Sequence, residues 1–292
     1  MNNTFGGAMP DARTSGMRDD EAEALASHLR RLASLMLDAL HETLSHRDQL
    51  EIMSKASAHD LVSDADRSIE SLIFEATRAA FPDDGFLGEE GGWVNRTSGG
   101  RNWVVDPIDG TMNFVHGLPI ACSSVGVLGK DGAIAGLVVD PYHDDVYLAC
   151  PAIHGSEKNG EEIAVAPGGD LSGRIVLVEV PSGVSPSVLG PVQDAVIAAG
   201  GSPRTIGSGA LALALVASGV VHGVVHAGPS IWDVAGGVAL VEHAGGTVLS
   251  RAGAYAFGEA GPLVAASPEA AGRLQIALSS CVLADSTGMW PC

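Results

Sequence analysis

The sequence predicts a layered α/β or α+β architecture, with helices packed on the faces of β-sheets. Three observations carry this expectation. Segments of helical and strand periodicity interleave along the 292 residues, they do so in both halves, and no repeat of solenoid period appears. With 46% hydrophobic residues and 38 glycines, the chain can bury a large core while turning often. Its length allows one large domain or two closely packed halves.

Residues 1–19 are rich in Gly, Asn, Ser and Asp without periodicity, which predicts disorder. From 21 to 44, Leu25, Leu29, Leu32, Met36 and Leu40 recur at helical spacing, so one face of a helix should be buried. Asp64 precedes a second helical pattern with Ile69, Leu72, Ile73 and Ala76 on one side, ended by the turn residues Asp83, Asp84 and Gly85. A short apolar run at 102–105 predicts a strand ending at Asp106. Strands at 120–128, 133–139 and 145–149 should then build one sheet, with turns at Lys130-Asp131-Gly132 and Asp140-Pro141.

The second half repeats the mixture. Strands are expected at 175–180, 220–226, 247–250 and 262–266, and helices at 187–199, 209–218, 233–243 and 268–279. Glycine and proline near 167–170 mark a joint between halves of one domain spanning 20–280, with a tail at 281–292.

Sixteen Lys plus Arg against 35 Asp plus Glu give a net charge of -19, which argues against nucleic acid or an anionic membrane surface as partner. An acidic protein can still handle an anionic substrate where metal ions supply positive charge. Cys122, Cys150, Cys281 and Cys292 show no C-x-x-C pair or metal-ligand spacing and read as reduced thiols. The N-terminal residues contain no apolar signal-peptide core, and no uncharged apolar run reaches the ~18 residues of a membrane span. The expected location is cytoplasmic.

The stretch 106–119, DPIDGTMNFVHGLP, sets two aspartates three residues apart at a predicted strand end. Pro107 fixes the chain direction and Gly110 permits a tight turn, so both carboxylates and the Ile108 carbonyl should surround one small volume. Oxygen ligands without His or Cys suit Mg²⁺, or Mn²⁺ as the alternative ion. Two further acidic sites lie between apolar and glycine-rich segments: Glu89 and Glu90 in GFLGEEGG, and Asp233 in SIWDVAGG. Taken singly, Asp233 reads as a helix cap, Glu89 and Glu90 as a solvated loop, and Asp106 and Asp109 as turn formers. Their coincidence favours a two-metal centre, whose ions stand ~4 Å apart. A substrate phosphate would meet the N–H groups of Gly110 and Thr111, with the Thr111 hydroxyl orienting water. The segment KASAHDLVSDADRSIE adds Lys55, Asp60, Ser63, Asp64 and Asp66 in a loop before a helix, where capping accounts equally well for Ser63 or Asp64.

These residues together resemble the inositol monophosphatase family, within the wider group that includes fructose-1,6-bisphosphatases. DPIDGTMNFVHGLP is similar to the family's first signature and WDVAGGVALVEHAGG to its second; GEE and K-x₄-D-L-V-S-x-x-D fit as well, over about residues 20–280. The resemblance implies an αβαβα sandwich, a homodimer, and hydrolysis of inositol monophosphate or a related sugar or polyol phosphate monoester. Mg²⁺ is the implied cofactor, as two or three ions, and Li⁺ an inhibitor. It also implies roles: Glu89, Asp106, the Ile108 carbonyl, Asp109 and Asp233 as metal ligands; Glu89, Thr111 and Asp66 as the groups that hold and activate water; Lys55 and Asp60 on a loop closing over the site. Asp109, Gly110, Thr111, Gly209, His226 and Asp233 would touch substrate.

This chain departs from the pattern at His226, where inositol-binding members often carry glutamate, and at Gly209, where Gly207-Ser208-Gly209 stands for the family's G-[ST]-A. A glutamate accepts hydrogen bonds from vicinal hydroxyls, whereas a neutral imidazole offers one donor and one acceptor. His226 reads equally as an ordinary strand residue. Histidinol phosphate, fructose 1,6-bisphosphate and adenosine 3′,5′-bisphosphate are the competing substrates, and a non-catalytic metabolite-binding member is the competing class.

Overall fold

Apolar residues at helical spacing form α1 (Asp19–Ser45), whose buried stripe is the expected Leu25, Leu29, Leu32, Met36 and Leu40. The computed structural model describes residues 17–49, 52–54, 61–181, 186–258 and 261–279. Residues 1–16, the tail from 280, Lys55 and Asp60 lie outside the described residues. A two-stranded ribbon, β1 (Ile52–Ser54) with β2 (Leu61–Ser63), leads into α2 (Asp64–Ala80). The buried face of α2 runs through Ile69, Ile73 and Thr77 and includes two acids, Asp66 and Glu70, while Leu72 and Ala76 sit at its margin.

Helices α1 and α2 pack together on one face of an eight-stranded sheet. Its strands are β3 (Gly85–Gly88), β4 (Gly92–Val94), β5 (Asn102–Asp109), β6 (Cys122–Gly129), β7 (Gly132–Asp140), β8 (Asp145–Ala149), β9 (Ser156–Lys158) and β10 (Glu161–Ile163). The order is β10-β9-β8-β7-β6-β5-β3-β4, antiparallel except for β3 beside β5. The edge hairpin β9–β10 was not expected from sequence, because three-residue polar strands show no periodicity to read.

The segment 164–174, which contains the glycines at 168 and 169, leads from this sheet to a second one. Six strands build it: β11 (Ile175–Glu179), β12 (Ser202–Arg204), β13 (Gly223–His226), β14 (Thr247–Ser250), β15 (Gly253–Ala254) and β16 (Leu263–Ala266), in the order β12-β11-β13-β16-β14-β15. Strand β11 runs parallel to both of its neighbours.

Besides the short α3 (Thr111–His116), four helices complete the layers. Between the sheets lie α5 (Gly209–Ala217) and α6 (Ile231–His243); α4 (Leu189–Ala198) and α7 (Pro268–Ser279) cover the outer face of the second sheet. The sequence of α5, GALALALVA, is apolar all round because sheet and helix enclose it on every side. Three hydrophobic cores fill the interlayer spaces, giving an αβαβα sandwich.

Two boundaries differ from expectation in ways that matter for the site. Strand β5 continues beyond Asp106 to Asp109, with a register shift between them as Asp106 pairs Ser124 and Asp109 pairs Cys122. Helix α6 begins at Ile231, so Asp233 stands inside the first turn and accepts the Ser230 N–H at 2.8 Å.

Candidate active site

The irregularity in β5 brings Asp106, the Ile108 carbonyl and Asp109 to one end of the large sheet. Gly110 then turns the chain into α3 at φ 87°, a left-handed conformation that costs an L side chain strain. A Cβ there would also lie 3.0 Å from the Ile120 carbonyl and 3.1 Å from that of Gly207. The Thr111 hydroxyl folds back to donate to the Ile108 carbonyl at 2.8 Å.

Glu89, Asp106, Asp109 and Asp233 share a cavity of about 550 Å³ at the seam of the two sheets, together with Ile108 and Thr111. No lysine or arginine is among its described lining residues. Burial pushes the Asp106 carboxyl well above the usual range, and the Glu89, Asp109 and Asp233 charges push the same way; a hydrogen bond that the protonated Asp106 donates to Glu89 also favours its neutral form. Asp233 is raised to about 8 by desolvation, then by Asp109 and Glu89. Asp106 Oδ1 is enclosed and has no partner among the described residues. So many carboxylates cannot all ionise at neutral pH in the absence of compensating positive charge. Their hard oxygens and the orphaned Asp106 atom fit a divalent cation such as Mg²⁺. As the side chains stand, no three acidic, His or Cys groups among the described residues are already drawn around one point.

Asp109 shows what holds part of this set open. Its carboxylate accepts the Ser208 hydroxyl at 2.6 Å and the N–H groups of Gly209 and Ala210 at 3.2 and 2.8 Å. These bonds oppose the burial that raises its pKa. The Cys122 thiol also donates to Oδ2 at 3.6 Å, which leaves Oδ2 fully engaged, whereas Oδ1 takes only the Gly209 N–H and keeps a lone pair for a ligand.

Glu70, in α2, accepts the N–H groups of Glu90 and Gly91 at 2.8 and 2.7 Å and so braces the turn that carries Glu89. Glu179, at the end of β11, lines the cavity and accepts the N–H groups of Ile206 and Gly207 at 3.0 and 2.8 Å; burial raises it to about 7. Neither was singled out from sequence. Glu179 carried the signal that marked Glu89 and Asp106, an acid closing an apolar run. Glu70 is an acid in phase with a buried helical stripe.

The expected water-activating partner Asp66 is 1% exposed in the first turn of α2 and is not among the residues lining the cavity. Gly209 and His226 do line it. His226 ends β13, 3% exposed, with burial lowering its imidazole to about 3.

This fold and site have relatives. The model of the inositol monophosphatase family matches residues 21–283. An inositol-1-monophosphatase of Mesorhizobium japonicum is 36% identical over 214 residues, covering 70% of this chain and 78% of that one. A protein of Pasteurella multocida named Nus factor SuhB is 34% identical over 226 residues, covering 76% and 83%. The crystal structure of the extragenic suppressor protein suhB from Bartonella henselae superposes with a TM-score of 0.81 at 28% identity, covering 88% of this chain and 99% of that one. A family model matching nearly the whole described structure, together with the carboxylate cavity at the seam of two sheets, leads to one conclusion: the chain belongs to the inositol monophosphatase family.

Proposed function

We propose that the protein is a Mg²⁺-dependent phosphomonoesterase hydrolysing inositol monophosphate or a related sugar or polyol phosphate. The observation that carries this reading is the convergence of Glu89, Asp106, Asp109 and Asp233 on one cavity, with an enclosed Asp106 oxygen that has no partner among the described residues. Glu89, Asp106, Asp233, the Ile108 carbonyl and the remaining lone pair of Asp109 would hold the cations. When bound, these supply Lewis-acid activation of the phosphoryl group and of water.

The chain's own groups do the rest. Gly110 and Thr111, at the start of α3, offer backbone N–H groups to the phosphate. The Thr111 hydroxyl, anchored on the Ile108 carbonyl, orients the attacking water, and Glu89 is the cavity-lining carboxylate that would receive its proton; Asp66, which does not line the cavity, would take part only through a relaying group. Asp233, Gly209 and His226 face the organic part of the ester. Mn²⁺ would substitute for Mg²⁺, and Li⁺ would inhibit by competing for the carboxylates. No helix among the described residues is long and apolar enough to cross a membrane.

The test is phosphate release from a panel containing inositol 1-phosphate, histidinol phosphate, fructose 1,6-bisphosphate and adenosine 3′,5′-bisphosphate at millimolar Mg²⁺. Asp106→Asn should lower kcat/KM by two orders of magnitude or more; retained activity would sink the metal-site assignment. A second reading, action through a protein assembly, is favoured by the likeness to a relative named Nus factor SuhB. It would be supported by Mg²⁺ binding in calorimetry without turnover of any panel member.

A further inference from the structure

Strands β11 and β13 end side by side, and their parallel register sets Glu179 next to His226 at the cavity wall. The imidazole is packed against a position with no side chain: a Cβ on Gly209 would lie 2.7 Å from His226 Nε2 and 3.0 Å from Cδ2. Real Cβ atoms do not approach so closely, so this ring position and a side chain at 209 exclude one another. The other ring nitrogen, Nδ1, is enclosed and has no hydrogen-bond partner among the described residues.

That orphaned nitrogen decides where the proton sits. A buried N–H without an acceptor is rarer than a buried acceptor without a donor, so the enclosed Nδ1 is the unprotonated nitrogen. Burial keeps the ring neutral, holding its pKa near 3, so a single proton must be placed. It goes to Nε2, the nitrogen beside Gly209, which lines the cavity with His226. Glu179 is not its acceptor as the side chains stand: that carboxylate accepts the N–H groups of Ile206 and Gly207, and among the described residues no hydrogen bond joins it to the imidazole.

We infer that His226 and Gly209 act as one specificity-determining pair, in which the glycine admits a neutral imidazole whose Nε2–H donates to an uncharged acceptor on the substrate. The substrate class is then a phosphate monoester whose organic part carries a carbonyl, ether oxygen or heterocyclic nitrogen beside the ester. A carboxylate in that place would be repelled by the acidic wall. The pair's role in selection rests on reading the cavity as a phosphomonoesterase site, whereas its tautomer and packing do not.

Three measurements on the full chain test it. In ¹⁵N-histidine NMR spectra, with the His226 signals assigned by their loss in His226→Gln, the ring should be the Nε2–H tautomer from pH 6 to 8; an Nδ1–H tautomer overturns the proposal. In a double-mutant cycle, the destabilisation by Gly209→Ala should shrink when His226→Ala is also present; additive losses overturn the pairing. Dihydroxyacetone phosphate and sn-glycerol 3-phosphate differ only in a carbonyl against a hydroxyl. His226→Glu should shift their kcat/KM ratio about tenfold toward the alcohol, while His226→Gln, which keeps a donor, should shift it much less. An unchanged ratio in His226→Glu overturns the inference. Loss of turnover on every phosphate ester would instead sink the phosphatase reading, leaving the spectra and the cycle to decide the pair.

Discussion

Asp109 accepts the hydroxyl of Ser208 at 2.6 Å across 99 residues of chain. This bond joins the end of β5 in the large sheet to the N-cap of α5 in the middle layer, where N–H groups of the helix start reach the same carboxylate. The cavity therefore exists only when both sheets are packed on their shared helices. Asp106 and Asp109 come from one sheet, Glu179 and His226 from the other, and Ser208 and Asp233 from between them.

Ser208→Ala should consequently destabilise the fold by about 1.5–3 kcal/mol, the range for a hydrogen bond to a charged group in a buried place. Ser208→Thr keeps the hydroxyl and should retain most of the stability. Urea unfolding measures both, and a loss in Ser208→Ala below about 0.5 kcal/mol would show that the bond contributes little.

Gly110→Ala tests the turn. The substitution forces a side chain into φ 87° and brings its Cβ to 3.0 Å from one carbonyl and 3.1 Å from another. Left-handed strain alone costs on the order of 1–2 kcal/mol. The melting temperature should fall and kcat should fall with it, since Thr111 and the Ile108 carbonyl move with the turn. A variant with wild-type melting and turnover would show that the loop relaxes freely.

Local patterning made much of this architecture legible. All five apolar positions expected to bury α1 do so, and helices α5 to α7 lie within two residues of where periodicity set them. The acids of the cavity were legible as well, each closing an apolar run or opening a helix. The sequence did not reveal how they are held. Ser208 reaches Asp109 over 99 residues, and Glu70 reaches the Glu90 N–H over 20; no local period encodes such pairings. The departure from the family's G-[ST]-A pattern at Gly209 was legible in the sequence, but its consequence appears only where the His226 ring fills the space.

Glu70 offers a way to perturb the cation site without touching a ligand. Its two backbone bonds fix the turn bearing Glu89, so Glu70→Ala should weaken Mg²⁺ binding about 10–100-fold, the usual effect of removing an outer support. Glu70→Gln, which keeps one acceptor oxygen, should weaken it less. Calorimetric titration with Mg²⁺ reads this directly. Equal affinities in wild type and Glu70→Ala would mean that the turn holds its shape by other contacts.

Glu179 supplies the pH dependence. Its carboxyl is raised from 4.5 to about 7 by burial, against the pull of the Ile206 and Gly207 N–H groups. In the folded protein it holds a proton that the unfolded chain gives up near pH 4.5, so between those values the native state binds more protons and stability falls as pH rises. The contribution is fully present below pH 4.5 and lost by about pH 7. At about 1.4 kcal/mol per pKa unit, the whole change is on the order of 3 kcal/mol. Unfolding free energies of wild type and Glu179→Gln, measured without divalent cations from pH 4.5 to 8, isolate it as the difference between the two curves. That difference should move steadily against the wild type as pH rises and then level off near pH 7. A flat difference would mean that Glu179 is ionised in the folded protein throughout, with its two backbone N–H bonds outweighing its burial.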